Sequence, residues 1–212
     1  MDSNGKKSIL IGITGGIASG KSTIINYLNE KGYSTIEADK LGHKILEPKN
    51  PGYTNIVEIF GRDILDKSGN INRQILGKIV FSNHKKLKQL NDISHPAIFK
   101  MIKQEYKELS TNSLDGIIFL EAALLIETGW YKLCDQIWVV ILEPFIATKR
   151  LKLRDGLSEE EAETRLKTQI GTDKRIDYAD LVLNNNKSSK NLLQQTESAL
   201  NRLKYNYTKG YI

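Results

Sequence analysis

"GITGGIASGKST", residues 12–23, is the stretch from which the fold is read. Within it, Gly15-Gly16-Ile17-Ala18-Ser19-Gly20-Lys21-Ser22 has the spacing of a phosphate-cradling loop: glycine, four residues, then glycine, lysine and a hydroxyl residue. The spacing acquires meaning only when a strand leads in and a helix leads out. The β-branched run "SILIGIT" (8–14) leads in, and "KSTIINYLNEKG" (21–32) leads out with apolar residues at helical intervals and a closing Gly32. Each residue type has a physical task. Glycines let the backbone turn its amides inward at the positive end of the new helix, Lys21 brings a charge to the outer phosphates, and the Ser22 hydroxyl is a hard donor for Mg²⁺.

Outward from the loop, further apolar runs occur at "STIEA" (34–38), "GIIFLE" (116–121), "QIWVVIL" (136–142) and "DLVLN" (180–184). Near-continuous apolar strands separated by helical patterns predict a doubly wound α/β fold with a five-stranded parallel sheet. Residues 52–109 interrupt the alternation with helical spacing in "NRQILGKIVF" and "AIFKMIKQEYKEL", which predicts a helical insertion. The most charged stretch is 154–175, where Ser158 and Glu161 have the spacing of a capping box.

At 212 residues the chain holds one enzyme-sized core with room for an insertion. An apolar share of 40% and a charged share of 26% exclude disordered and fibrous classes. The net charge of +6 suits anionic partners, but aromatics are only 8% and scattered, which argues against a nucleic-acid surface. The single cysteine, Cys134, reads as a packed apolar side chain in a reducing compartment. No apolar run is long enough for a bilayer, so a cytoplasmic protein is expected. His43, His84 and His95 lack metal-ligand spacing.

A loop that holds a nucleoside triphosphate serves GTPases, ATPases and small-molecule kinases alike. The GTPase base reader is missing, since Asn186-Lys187-Ser188-Ser189 lacks its aspartate, and Asp66-Lys67-Ser68-Gly69 reads as a turn. A kinase needs a carboxylate to orient an acceptor hydroxyl and arginines to cover the transferring charge. Asp39, at the carboxyl end of the second strand, is either that carboxylate or a helix N-cap. Glu121, closing its strand, is either a Mg²⁺-holding acid or a structural carboxylate. Arg150 and Arg154 share one helical face, at the γ-phosphate or in solvent. Asp39 and His43, four apart, can share a face as well.

These residues together resemble the dephospho-coenzyme A kinases along nearly the whole chain. The likeness is carried by "GITGGIASGKST" with "EADKLGHKI", by "FGRDILDKSGNINRQILGKIVF" and "SHPAI", and by "ALLIE", "RLKLRDGLSEEEAETRLKTQ" and "ADLVLNNN". It implies a P-loop kinase fold with a helical substrate-binding insertion and a small helical lid. The core would be 1–44, 111–150 and 178–212, the coenzyme A-binding insertion 45–110 and the lid 151–177. The implied activity is transfer of the ATP γ-phosphate to the ribose 3′-hydroxyl of dephospho-coenzyme A, with Mg²⁺, by a monomer or weak homo-oligomer. Another small-molecule kinase of this fold, or an ATP-dependent nucleic-acid-binding protein, would share the loop. The implied ATP-binding set is Thr14, Gly15, Gly16, Ile17, Ala18, Ser19, Gly20, Lys21, Ser22, Thr23 and Asn185. Asp39, Lys21, Arg150 and Arg154 would be catalytic, Asp39, His43, Arg73, His95 and Glu121 would meet the acceptor, and Ser22 and Glu121 would hold the metal. Ala123 departs from the family's usual proline, and Lys187 from its usual glycine.

Overall fold

The computed structural model describes residues 7–113 and 116–212. In chain order the elements are β1 (Ile9–Gly15), α1 (Lys21–Glu30), β2 (Ser34–Glu37), α2 (Ala38–Lys44), α3 (Pro51–Phe60), α4 (Arg73–Phe81) and α5 (His84–Asn112). They continue with β3 (Ile117–Glu121), β4 (Gln136–Ile141), α6 (Pro144–Asp155), α7 (Glu159–Lys167), α8 (Thr172–Ile176), β5 (Leu181–Asn184) and α9 (Ser189–Lys209). The chain divides into two compact units, one built from the stretch up to Ile36 and from Glu108 onward, the other from Glu37–Lys107.

The first unit carries the sheet, with strand order β2-β3-β1-β4-β5. Parallel ladders join β1 to β3, β1 to β4 and β4 to β5, as the apolar runs predict. All seven residues of β1 are buried, because the strand has a partner on each edge and cover on its faces. Ile24, Ile25 and Leu28 of α1 join Leu192, Leu200, Leu203 and Tyr207 of α9 in one cluster with Phe119 and Trp138. Phe119 meets Tyr33 and Trp138 edge to face, at centroid distances of 5.5 and 5.6 Å. The buried residues of α9 recur every three or four positions, which turns one stripe of that helix to the sheet.

The sheet order reverses direction at β1: the chain leaves it toward β2 and β3 on one side and later adds β4 and β5 on the other. Such a switch point opens a crevice at the carboxyl ends of the strands, and the Gly15–Lys21 loop begins there.

The second unit is helical. Asn50 caps α3 by accepting from Gly52 N, with Pro51 opening the helix. Asn72 caps α4 by accepting from the amides of Gln74 and Ile75. Between them Asp66 accepts from the amides of Ser68 and Asn70, so the stretch that mimics a GTPase switch is an Asx-type turn. These bonds hold the Asp66 carboxyl below its usual range. This unit begins at Glu37, earlier than the insertion read from the sequence at 45.

Candidate active site

The loop after β1 is shaped by backbone requirements. A side chain at Gly15 would strike the Val140 carbonyl oxygen and lie 2.7 Å from Ser19 Oγ. Gly20, at φ +103, is the N-cap of α1 and supplies no side-chain cap, so the first amides of the helix stay available to a ligand. Ala18 also holds a left-handed conformation, at φ +60, which non-glycine residues rarely adopt. Beside it, Ser19 N donates to Gly16 O at 3.2 Å, which closes the turn that Ala18 completes.

Three polar side chains donate to carbonyls of this loop. Lys21 Nζ donates to the carbonyls of Gly15 (3.0 Å) and Gly16 (3.1 Å), so its ammonium is folded over the cradle. Arg150, from α6, donates to Ala18 O (3.2 Å) and to Asn185 O (3.3 Å). Asn185, just beyond β5 and 1% exposed, donates through Nδ2 to Ser19 O at 2.7 Å. The fold therefore gathers residues 132 to 166 positions apart onto one turn. Thr14 Oγ1, Ser19 Oγ and Asn185 Oδ1 are buried beside it with no hydrogen-bond partner, which leaves polar capacity unspent at the site.

Arg154 lies one turn further along α6 and faces a different partner. Its Nε and Nη2 donate to Asp155 at 2.7 and 2.9 Å, and Arg165 donates to the same carboxylate at 3.0 Å. The two arginines hold the Asp155 carboxyl below its usual range. Arg150 thus touches the loop, while Arg154 is tied into the end of its own helix.

Glu121 closes β3, is 8% exposed, and sits in register with Ile13 of β1. Ser22 is exposed at the second position of α1. Among the described residues no cluster of three or more His, Cys, Asp or Glu forms a metal cage. One hydroxyl and one carboxylate suit Mg²⁺, which takes few protein oxygens and completes its shell from phosphates and water.

A cavity of about 550 Å³ opens over the loop, lined by Gly16, Ile17, Thr148, Leu166 and Gln169 among others. Gln169, after α7, places Oε1 on the Ile17 amide at 2.9 Å. Arg175, in α8, is 3% exposed on the same wall. The sequence reading assigned neither. Its one signal was their place in and just after the "RLKTQ" stretch, which has no spacing rule of its own.

In the second unit, Asp39 is the second residue of α2 and exposed. The N-cap is Glu37, and no side chain caps the helix, so the N-cap reading of Asp39 does not hold. His43 follows one turn later, and Arg73 Nη2 lies 2.7 Å from its Nε2. A guanidinium only donates, so His43 Nε2 accepts and its proton resides on Nδ1. Lys44 pairs with Glu105 at 3.0 Å on the neighbouring position. His95 lies in α5, half-buried, and burial lowers its pKa.

A family model described as dephospho-CoA kinase matches residues 9–191. A curated dephospho-CoA kinase from Carboxydothermus hydrogenoformans is 40% identical over 196 residues, 92% of this chain and 95% of that protein. One from Fusobacterium nucleatum is 42% identical over 189 residues, 89% of this chain and 95% of its own length. Among solved structures, a dephospho-CoA kinase from Campylobacter jejuni aligns over the full length of both chains, with 31% identity and a TM-score of 0.70. A Thermus thermophilus protein aligns over 93% of this chain and 99% of its own, with 30% identity and a TM-score of 0.77.

Proposed function

The chain belongs to the dephospho-coenzyme A kinase family, and on that premise we propose that it transfers the γ-phosphate of ATP to the ribose 3′-hydroxyl of dephospho-coenzyme A. One observation carries the chemistry: the loop at the sheet's switch point has its own ammonium group, Lys21, folded onto the turn and a guanidinium, Arg150, bound to the same backbone. Amides at a helix start and two fixed cations form a site for a polyanion, and charge in phosphoryl transfer spreads over the oxygens that such a site covers.

Asp39 acts as the carboxylate that orients the acceptor hydroxyl and accepts its proton. It is exposed, lies two residues beyond the carboxyl end of β2, and is not consumed as a helix cap. His43 and Arg73, already paired at 2.7 Å, present a guanidinium for the anionic part of the acceptor. Ser22 and Glu121 would hold Mg²⁺, which would supply positive charge to offset that of the phosphate oxygens. Arg154 joins the phosphates by exchanging Asp155 for them as the 151–177 segment closes, which also excludes water that would hydrolyse ATP.

A coupled assay with ATP and dephospho-coenzyme A, with and without Mg²⁺, tests the reading against nucleosides and nucleoside monophosphates as acceptors. Turnover confined to dephospho-coenzyme A is expected, and equal turnover of a nucleoside would overturn it. Asp39→Asn should depress kcat by about 10²- to 10⁴-fold with ATP affinity kept, the usual worth of a positioned general base. Lys21→Ala should weaken both ATP affinity and rate; unaltered kinetics there would remove the loop from the mechanism.

A further inference from the structure

Arg175 is a cation in an unusual position. It is 3% exposed, and its guanidinium is only partly engaged: Nη1 donates to Ile170 O at 2.7 Å, Nη2 is 3.4 Å from Glu127 Oε1, and Nε is buried with no partner. Burial draws its pKa below the ordinary arginine value, with Glu127 opposing that shift. A buried charge held by one long ion pair, with a donor left over, is destabilising unless a further anion completes it.

The geometry shows where that anion would come from. Arg175 lines the cavity of about 550 Å³ together with Gly16, Ile17 and Ser19 of the phosphate loop. Its Nη1 comes within 3.9 Å of the point a Cβ on Gly16 would occupy, and Gln169 Oε1 within 4.0 Å of the same point. Gln169 Oε1 accepts from Ile17 N at 2.9 Å, so a neutral carbonyl oxygen now occupies a cradle amide that an anion is built to take.

We propose that Arg175 is a further phosphate-binding residue: its guanidinium takes an oxygen of the ATP phosphate chain, and Gln169 keeps that oxygen's place on the Ile17 amide until nucleotide displaces it. The proposal rests on the kinase reading and adds to it a fourth cation besides Lys21, Arg150 and Arg154. It also accounts for the contact of the loop joining α7 to α8 with the cradle, since Gln169 on that loop and Arg175 in α8 change partners when ATP arrives. A purely structural Arg175 would instead serve to pin Ile170 and Glu127 together.

The test measures binding of ATP and of adenosine to the full chain by calorimetry, beside the melting temperature without nucleotide. Arg175→Met should weaken ATP binding by about 10- to 100-fold, as expected for a lost charge-assisted hydrogen bond, with adenosine affinity kept. Arg175→Lys, which keeps the charge, should retain an intermediate preference for ATP over adenosine and serves if the methionine variant does not fold. Gln169→Ala should bind ATP more tightly, because no internal acceptor must be displaced. Glu127→Gln removes the ion pair alone, so it should lower the melting temperature while ATP affinity stays within about threefold. The proposal is overturned if Arg175→Met discriminates ATP from adenosine as the wild type does, or if Glu127→Gln loses ATP affinity in parallel with it. A wild-type chain that fails to bind ATP would instead sink the kinase reading itself, which keeps the two failures apart.

Discussion

Ala18 shows how a single residue can be set by function against its own preference. Its φ of +60 lies where an L side chain crowds the backbone, at about 1–2 kcal/mol. Glycine relieves that crowding but adds freedom to the unfolded chain, so Ala18→Gly should leave the melting temperature within a few degrees of wild type and ATP affinity unchanged. Differential scanning calorimetry with an ATP titration checks both. A second residue-scale prediction concerns Cys134, whose thiol is pushed up to about 12 by burial and by the neighbouring Asp135. A thiol so far from its thiolate form should react with a disulfide reagent at pH 8 only after denaturant is added. The packed apolar role read from the sequence agrees with that environment. Local spacing made Lys21 and the loop glycines legible, because their task depends on neighbours in sequence. Arg175 and Gln169 were not legible, because only tertiary contact brings them to Gly16 and Ile17.

At the scale of elements, α7 is held by signals that can be read in advance. Ser158 accepts from Glu161 N at 3.2 Å, and Glu161 accepts from Ser158 N at 2.8 Å, the reciprocal box expected from their spacing. Ser158→Ala should destabilise that helix by about 0.5–2 kcal/mol. Faster amide hydrogen exchange over 159–162, with exchange in β1 unaltered, is the expected signature. The start of α2 was harder to read. Glu37 keeps an extended backbone (φ −109, ψ 102), so the helix begins at Ala38 and Asp39 falls inside its first turn rather than on its cap. A one-residue shift of this kind depends on where the strand's ladder ends, which a propensity argument does not locate. Arg150 and Arg154 were placed on one face by their spacing of four, yet the structure gives them different partners, since Asp155 captures the second.

For the whole molecule, acid is the condition under which its parts respond together. Burial holds His95 below the ordinary imidazole value of 6.5, although Asp92 opposes the shift. The unfolded chain therefore takes up that proton first, and stability falls as pH drops through and below about 6.5. His95→Gln should flatten the fall in melting temperature between pH 7 and 5, measured in thermal scans at matched ionic strength; an unchanged slope would remove His95 from the acid response. Asp66, Asp155 and Glu161, all held below their usual ranges, add a second loss only as the pH falls toward those lowered values. The sheet as a set of strands was legible because β-branched runs are local. Its order was not, since the pairing of Ile9 with Ile117 and of Ile11 with Gln136 is a long-range choice.

That choice has a consequence for how the chain is made. The central strand is synthesised early, yet its two edges wait for residues 117–121 and 136–140, and the Tyr207 hydroxyl, 200 residues along, closes on Lys7 O. During translation the first apolar segment must therefore leave the ribosome without its neighbours and stay unpaired until most of the polypeptide has emerged. Arrested nascent chains that end before β4 should not be retained on immobilised ATP, whereas chains extending past α9 should, so nucleotide binding reports assembly of the sheet around β1.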